Sequence, residues 1–333
     1  DSRRHALVIG AGLAGAAACS TLARRGWRIT LLDAADGPAG GASSLPVGML
    51  SPHVTAQPTP LSRLTALGVT HTRAELERLL RPGQGWLATE VDNLGHDAGR
   101  HPAALVRPGA LVAAWWAEAQ ATGRLDTRWN APVARLRPAS GDAAPGWRAF
   151  DAQGQVLAQA DAVFVATAHA SLPLLRDAAH LDEHALPLRP VKGQLSYGPL
   201  DGPPDAERPQ RQDGVFVPCY TEDPPGPLAP TRLWAMGSTY TRGADDSSVT
   251  DADHTRNALS LAQLNPAAAE RLHRQQASGA LLGWAGVRCA SLDRLPLVGS
   301  LPDTARLAAL LGQPPFHRRK PAAHELPRIP GLY

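Results

Sequence analysis

Five residues from its start, the chain runs from the apolar stretch His5-Ala-Leu-Val-Ile9 into Gly10-Ala-Gly12-Leu-Ala-Gly15 and then through a helical pattern to Gly26. This order predicts a strand, a turn and a helix built to hold a dinucleotide. Gly10 makes the tight turn, Gly12 lets backbone approach a pyrophosphate, and Gly15 lets the helix lie close on the sheet. The helix N-terminus then faces the phosphates. Trp27-Arg-Ile-Thr-Leu-Leu32 supplies a second strand, and Asp33 ends it at the distance from the glycines that ribose recognition requires. An acid there suits a free ribose hydroxyl and disfavours a 2′-phosphate, so FAD or NAD fits better than NADP.

The 333 residues, 44% of them hydrophobic, can bury a large core, and the length suggests two domains or one elaborate one. No apolar run approaches the roughly 20 residues of a membrane span, and no signal-peptide pattern opens the chain, so neither a membrane nor export is expected. Cys19, Cys219 and Cys289 lie far apart without metal-type or redox-type spacing, which fits a reducing cytoplasm and implies no metal site. The net charge of +3 and a pI near 9.0 allow a polyanionic partner without demonstrating one. The clearest basic cluster, His317-Arg-Arg-Lys320, reads as a solvated loop ahead of a nucleic-acid contact. Asp1 enters the first strand almost at once, and Pro327 to Tyr333 reads as the beginning of a strand, so the natural chain is expected to be longer at both ends.

Helical rhythm runs from Leu61 to Leu80, and a second helix over 110–121 follows Pro108-Gly109, with Trp115-Trp116 as packing residues. Short strands are expected at 131–136, 147–150 and 162–167, the last being a buried parallel strand whose small end residues admit a cofactor. Alternating pieces at 193–197, 215–219 and 233–236, separated by proline-rich loops, suggest an antiparallel sheet. A helix capped by Thr250 or Asp251 should run to Leu264. Finally, 283–290 and 295–299 look like strands returning to the nucleotide domain. The expected fold is α/β (α+β overall), a Rossmann-like domain over 1–56, 102–172 and 285–333 with an inserted antiparallel-sheet substrate domain over 57–101 and 173–284.

Several separate segments resemble one family, the FAD-dependent D-amino-acid-oxidase-like superfamily that includes glycine and sarcosine oxidases. They are the glycine fingerprint with Asp33, the loop Gly41-Ala-Ser-Ser-Leu-Pro-Val-Gly-Met49, the strand Ala162–Thr167, and Arg288 followed by Asp293-Arg-Leu-Pro-Leu-Val-Gly299. Within that superfamily, Val191–Ser196, Gly237–Gly243 and Gly286–Gly299 look like the oxidoreductase half of the bifunctional tRNA 5-methylaminomethyl-2-thiouridine biosynthesis family. The resemblance implies FAD-dependent oxidation of a carboxymethylaminomethyl group on the wobble uridine of tRNA. Glyoxylate leaves, and aminomethyl uridine remains for methylation by an N-terminal methyltransferase half, absent here, that would use S-adenosylmethionine. The chain departs from that family in a short interval between Leu80 and Pro108. It also ends at Tyr333, before the glycine-rich loop and last helix that close over the flavin ring.

By the same resemblance, Gly10, Gly12, Leu13, Ala14 and Gly15 meet the pyrophosphate and Asp33 the adenosine ribose. Gly41, Ala42, Ser43 and Ser44, with Gly48 and Met49 beyond, pass along the pyrophosphate and flavin. Val133 contacts adenine through backbone, and Ala166 and Thr167 close the cofactor strand. Arg288 takes the place of a carboxylate-binding arginine, whose planar fork would orient the substrate; a pairing with Asp293 is the alternative. Tyr240 either lines the cavity or packs as an ordinary aromatic. Lys192 either faces substrate or tRNA or is a solvated strand lysine. His53 and His169 read as loop or core residues. Cys289 does not match the cysteine that binds flavin covalently in sarcosine oxidases, so it is expected to be a buried inert thiol beside a dissociable FAD. A free amino-acid oxidase and a flavin-free tRNA-binding fragment stay open as alternatives.

Overall fold

The computed structural model describes residues 4–95, 98–139, 146–179, 181, 186–223, 231–312 and 322–333. Its strands in chain order are β1 (His5–Ile9), β2 (Arg28–Leu32), β3 (Gly48–Leu50), β4 (Trp86–Asn93), β5 (Gly99–Val106), β6 (Leu125–Arg128), β7 (Arg135–Pro138), β8 (Trp147–Phe150), β9 (Val156–Ala160), β10 (Ala162–Val165), β11 (Leu188–Pro199), β12 (Gln210–Gln212), β13 (Gly214–Glu222), β14 (Thr231–Gly237), β15 (Thr241–Arg242) and β16 (Leu282–Ser291). The helices are α1 (Leu13–Arg24), α2 (Pro60–Leu79), α3 (Pro108–Ala121), α4 (Ser171–Ala179), α5 (Asp251–Leu264), α6 (Pro266–Ser278) and α7 (Thr304–Leu311).

The chain divides into two compact units, one of residues 1–40, 115–188 and 291–333, the other of 41–114 and 189–290. The first is built on a parallel sheet in the order β10-β1-β2-β6. Ala6, Leu7 and Val8 of β1 are fully buried, as expected of a central strand covered on both faces. On one face Ala6 and Val8 meet α1, through Cys19, Leu22 and Ala23, together with Ala119 of α3. On the other, Leu7 and Ile9 join Leu136, Trp147 and Ala149 of the antiparallel sheet β7-β8-β9, with Leu174 and Leu175 of α4. The chain leaves β1 toward β2 and β6 on one side and returns to β10 on the other. The carboxyl ends of β1 and β10 therefore flank a topological switch point, where open α/β sheets take ligands.

The second unit is a large, mainly antiparallel sheet in the order β15-β11-β14-β13-β12-β4-β5-β3, with β16 also pairing to β11. Phe216, Trp234 and Met236 on one face pack against Ala258 and Leu261 of α5 and Leu272 of α6. Val47, Leu105, Leu195 and Tyr220 form a further core. Thr250 caps α5 by accepting from the Asp253 amide, and Thr59 and Ser62 form a reciprocal cap at the start of α2.

The structure departs from the sequence reading in several places. The pieces 41–56, 102–114 and 285–290 belong to the second unit, and 173–188 to the first. The strand expected at 283–290 is β16, but it pairs with β11 and does not return to the nucleotide sheet. Residues 295–299 carry no strand: Arg294 at φ 64° and Gly299 at φ 137° bend the backbone out of any ladder. The 80–108 interval holds the whole β4–β5 hairpin. The end of the chain supplies two isolated bridges, Leu332 to Val163 and Arg328 to Pro302, in place of a strand. His317–Lys320 lies outside the described residues.

Candidate active site

In the first unit the glycine fingerprint is a loop pressed between strand ends. Gly10 has φ 101°, and a β-carbon there would lie 2.5 Å from the carbonyl oxygen of Ala166. No L side chain fits either the torsion or the space. At Gly15 a β-carbon would overlap the Gly10 carbonyl, so the helix is drawn against the loop that feeds it as well as toward Val8 of the sheet. Gly12 is the N-cap of α1, no side chain caps that helix, and its first turn has no acidic residue. Amides at such an end point outward with a partial positive charge, a cradle suited to a pyrophosphate. The residues present therefore fit the diphosphate of a dinucleotide.

Asp33 follows β2 and sits beside this loop. One carboxylate oxygen accepts the Ala11 amide at 2.5 Å, and the other accepts the Ala35 amide at 2.7 Å. Each oxygen keeps a further lone pair, enough for ribose hydroxyls. The sequence reading gave Asp33 only a ligand role, and the structure adds that it staples the fingerprint to the end of β2. Val133 lies two residues beyond Ala131, whose amide donates to the Asp33 carbonyl at 2.8 Å. It follows the strand-free turn at Asn130, since β7 starts only at Arg135. Ala166 continues β10 by donating to Ile9 at 2.8 Å. The Thr167 hydroxyl meets that of Ser171 at 3.0 Å, where α4 begins.

The other candidates gather in the second unit. Gly41 precedes a single helical turn, Ala42–Ser44, and the Ser44 hydroxyl donates to the Gly41 carbonyl at 2.9 Å while accepting from the Trp284 indole at 2.9 Å. Trp284 lies on β16, so this loop is tied to the strand that carries Arg288. Gly48 and Met49 pair with Val106 and Leu105 of β5.

Arg288 has no carboxylate partner among the described residues, Asp293 included. Its guanidinium carbon stands 5.3 Å from the centroid of the Tyr240 ring, within range of cation–π attraction. The same ring has Arg242 at 5.7 Å. Although the Arg288 side chain is reached by solvent, its guanidinium lies against the backbone of β11, with Nη2 3.2 Å from where a Gly193 β-carbon would be. This desolvation draws its pKa below the ordinary arginine value, against the Tyr240 ring's opposing pull. An uncompensated, partly desolvated guanidinium keeps the two-pronged donor geometry that a carboxylate could take up. Tyr240 is 46% exposed and is no packed core aromatic.

Lys192 fits neither role read from the sequence. It is buried, and its ammonium donates to Asp246 at 2.8 Å and to the Ser248 hydroxyl at 3.2 Å. That hydrogen bond, with those from Ser248, holds the Asp246 carboxyl well below the usual range. Cys289 is half-buried and not buried as expected, and desolvation raises its thiol pKa. Among the described residues no group of His, Cys, Asp and Glu could hold a metal ion, and no helix is long and apolar enough to cross a membrane. Arg242 escaped the sequence reading because a lone arginine in a polar loop carries no signal of its own. It lies two residues beyond Tyr240, on β15, which pairs with β11.

The chain is similar to known proteins over most of its length. The tRNA 5-methylaminomethyl-2-thiouridine biosynthesis bifunctional protein MnmC of Ralstonia nicotianae is 37% identical over 99% of this chain and 53% of its own length. The protein of that name from Verminephrobacter eiseniae is 37% identical over 91% of this chain and 56% of its own length. The chain thus spans about half the length of the curated relatives it matches. Among solved structures, glycine oxidase from Geobacillus kaustophilus superposes with a TM-score of 0.68 at 20% identity, covering 96% of each chain. Iminodiacetate oxidase from Chelativorans sp. BNC1 gives 0.66 at 18% identity, over 90% of this chain and 87% of its own. Residues 5–101 and 88–316 match the family described as FAD dependent oxidoreductase, and the chain belongs to it.

Proposed function

We propose that this chain is the flavin-dependent oxidoreductase half of a tRNA-modifying enzyme. It oxidises the carboxymethylaminomethyl group on the wobble uridine, releases glyoxylate, and leaves an aminomethyl uridine for methylation by an N-terminal, S-adenosylmethionine-using half. The observation that carries this reading is 37% identity over 99% of the chain to a protein named for that modification. The unpaired Arg288 supports it, because the group to be oxidised carries a carboxylate.

FAD, held without a covalent bond, supplies the acceptor for the two electrons and hydrogen removed from the carbon–nitrogen bond. The loop Gly10–Gly15 presents backbone to the pyrophosphate, with Gly12, Leu13 and Ala14 at the helix start. Asp33 takes the ribose, Val133 the adenine edge, and Ala166 and Thr167 bound the pocket beside Gly10. Gly41, Ala42, Ser43, Ser44, Gly48 and Met49 would help to hold the cofactor. Arg288 clamps the carboxylate and so fixes which carbon is offered for oxidation, while the Tyr240 ring supports the guanidinium. The reaction is a two-electron oxidation of a secondary amine followed by hydrolysis, so the chain need supply only binding, orientation and exclusion of wrong substrates.

A second reading, a free amino-acid oxidase, draws on the fold shared with glycine oxidase. Anaerobic addition of tRNA bearing carboxymethylaminomethyl uridine, with glycine and sarcosine in parallel, separates the two. Bleaching of the flavin band by the tRNA alone is expected. Bleaching by the small amino acids alone would overturn the tRNA reading.

A further inference from the structure

Arg242 is exposed and has no acidic partner among the described residues, yet it is not on a wandering loop. It occupies β15, in register with Val191 of β11, and the next residue, Gly243, donates to the Pro190 carbonyl at 2.9 Å. Arg256 braces the same segment, donating to the Tyr240 carbonyl at 3.3 Å and the Thr241 hydroxyl at 3.2 Å. Of the acidic side chains nearby in sequence, Asp246 pairs with Lys192 and Asp253 with Arg256, and the exposed Asp245 makes no ion pair with Arg242 among the described residues. Two guanidiniums therefore share one aromatic ring, at 5.3 and 5.7 Å, and neither has a carboxylate partner among the described residues.

Two guanidiniums without carboxylate partners at one ring are open to anions from outside. One anion, the substrate carboxylate, belongs to Arg288 in the reading above. From this arrangement we infer that Arg242 is a specificity residue that binds a backbone phosphate of the nucleic acid presenting that carboxylate. Arg288, Tyr240 and Arg242 then form a two-anion receptor. The inference rests on the tRNA reading. A nucleotide within a chain offers a phosphate oxygen pair that suits the arginine fork, and a free amino acid offers none.

The test is anaerobic flavin reduction of the FAD-loaded protein by two substrates, carboxymethylaminomethyl uridine as the free nucleoside and an anticodon stem-loop containing the same nucleotide. R242Q is expected to lower kcat/KM on the stem-loop about tenfold more than on the nucleoside. It should also lessen the salt dependence of stem-loop binding by about one counterion. R242K, which keeps a phosphate-binding charge, is expected to restore part of the loss. Equal losses on both substrates, or no loss on the stem-loop in a variant that retains its flavin band, would overturn the proposal. If R242Q does not fold, R242K decides: its salt dependence must match the wild type while its stem-loop kcat/KM falls short of it. A wild-type protein reduced by neither uridine substrate overturns the tRNA reading itself, and this inference with it.

Discussion

The guanidinium of Arg288 rests over the Cα of Gly193: a β-carbon at 193 would meet Arg288 Nη2 at 3.2 Å, the Ser238 hydroxyl at 3.1 Å and the Thr239 carbonyl at 3.0 Å. The glycine is there for space, since its φ is not in the left-handed region. G193A is expected to push the arginine off its position, raising KM for the carboxylate substrate about threefold to tenfold while the flavin spectrum stays unchanged. Steady-state kinetics beside a visible spectrum check this.

R288K keeps the charge and loses the two-pronged geometry, a change that is not conservative at a carboxylate clamp. Loss of one charge-assisted hydrogen bond, worth about 1.5–3 kcal/mol, predicts a fall in kcat/KM of roughly tenfold to a hundredfold. FAD content should not move. A variant of wild-type efficiency would remove Arg288 from the site.

Asp33 holds the Ala11 and Ala35 amides whether or not ribose is present. D33A is therefore expected to weaken FAD binding and also to destabilise the flavin-free protein by about 2 kcal/mol or more in urea unfolding. A residue that met only ribose would leave the flavin-free protein unchanged.

Lys192 and Asp246 make an unequal pair, the ammonium side chain 7% exposed and the carboxylate 55%. D246N strands a buried charge and should lower Tm by several degrees, whereas K192M, which removes that charge, should lower it less. The depressed Asp246 pKa adds stability that is present above the ordinary aspartate range and is lost as pH falls toward the folded value. Acid scans of wild type and D246N should therefore converge.

His254 accepts or shares a hydrogen bond with the Ser196 hydroxyl at 2.7 Å, and Asn257 donates to the same hydroxyl at 3.0 Å. Desolvation lowers its pKa below 6.5, against the raising pull of Asp251 and Asp253. Just under that pH the unfolded chain binds more protons than the folded one, so stability rises with pH and is lost as the solution is acidified. H254Q is expected to flatten Tm against pH below about 6.5, with His5, lowered in the same direction, still contributing.

The nucleotide unit was legible because its chemistry is local: glycines, an apolar strand and an acid within one βαβ stretch fix one another. The helix over 251–264 was legible to the residue, since Thr250 announces its cap. The second sheet was readable only in fragments. In β4, Val91 is fully buried while its neighbours alternate with polar residues, and β5 is polar until Ala103, so neither strand reads as apolar. Residues 295–299 misled for the opposite reason, an apolar Leu-Pro-Leu-Val run that the backbone leaves outside any sheet, with Val298 95% exposed. In the site, Arg288 came from resemblance, while its contact with Tyr240 and the burial of Lys192 join segments far apart in sequence, which no local pattern encodes.

Trp284 and Arg288 are four residues apart on β16, and the indole of the first holds Ser44 at 2.9 Å, 240 residues away in sequence. The loop proposed to run along the cofactor and the arginine proposed to grip the substrate are therefore fastened to one beam. A two-residue slip of that strand would spoil both at once. Natural variation in this part of the protein should accordingly travel as a linked set, and a graft that transplants Arg288 into a related scaffold without Trp284 and Ser44 would carry the grip while leaving its alignment behind.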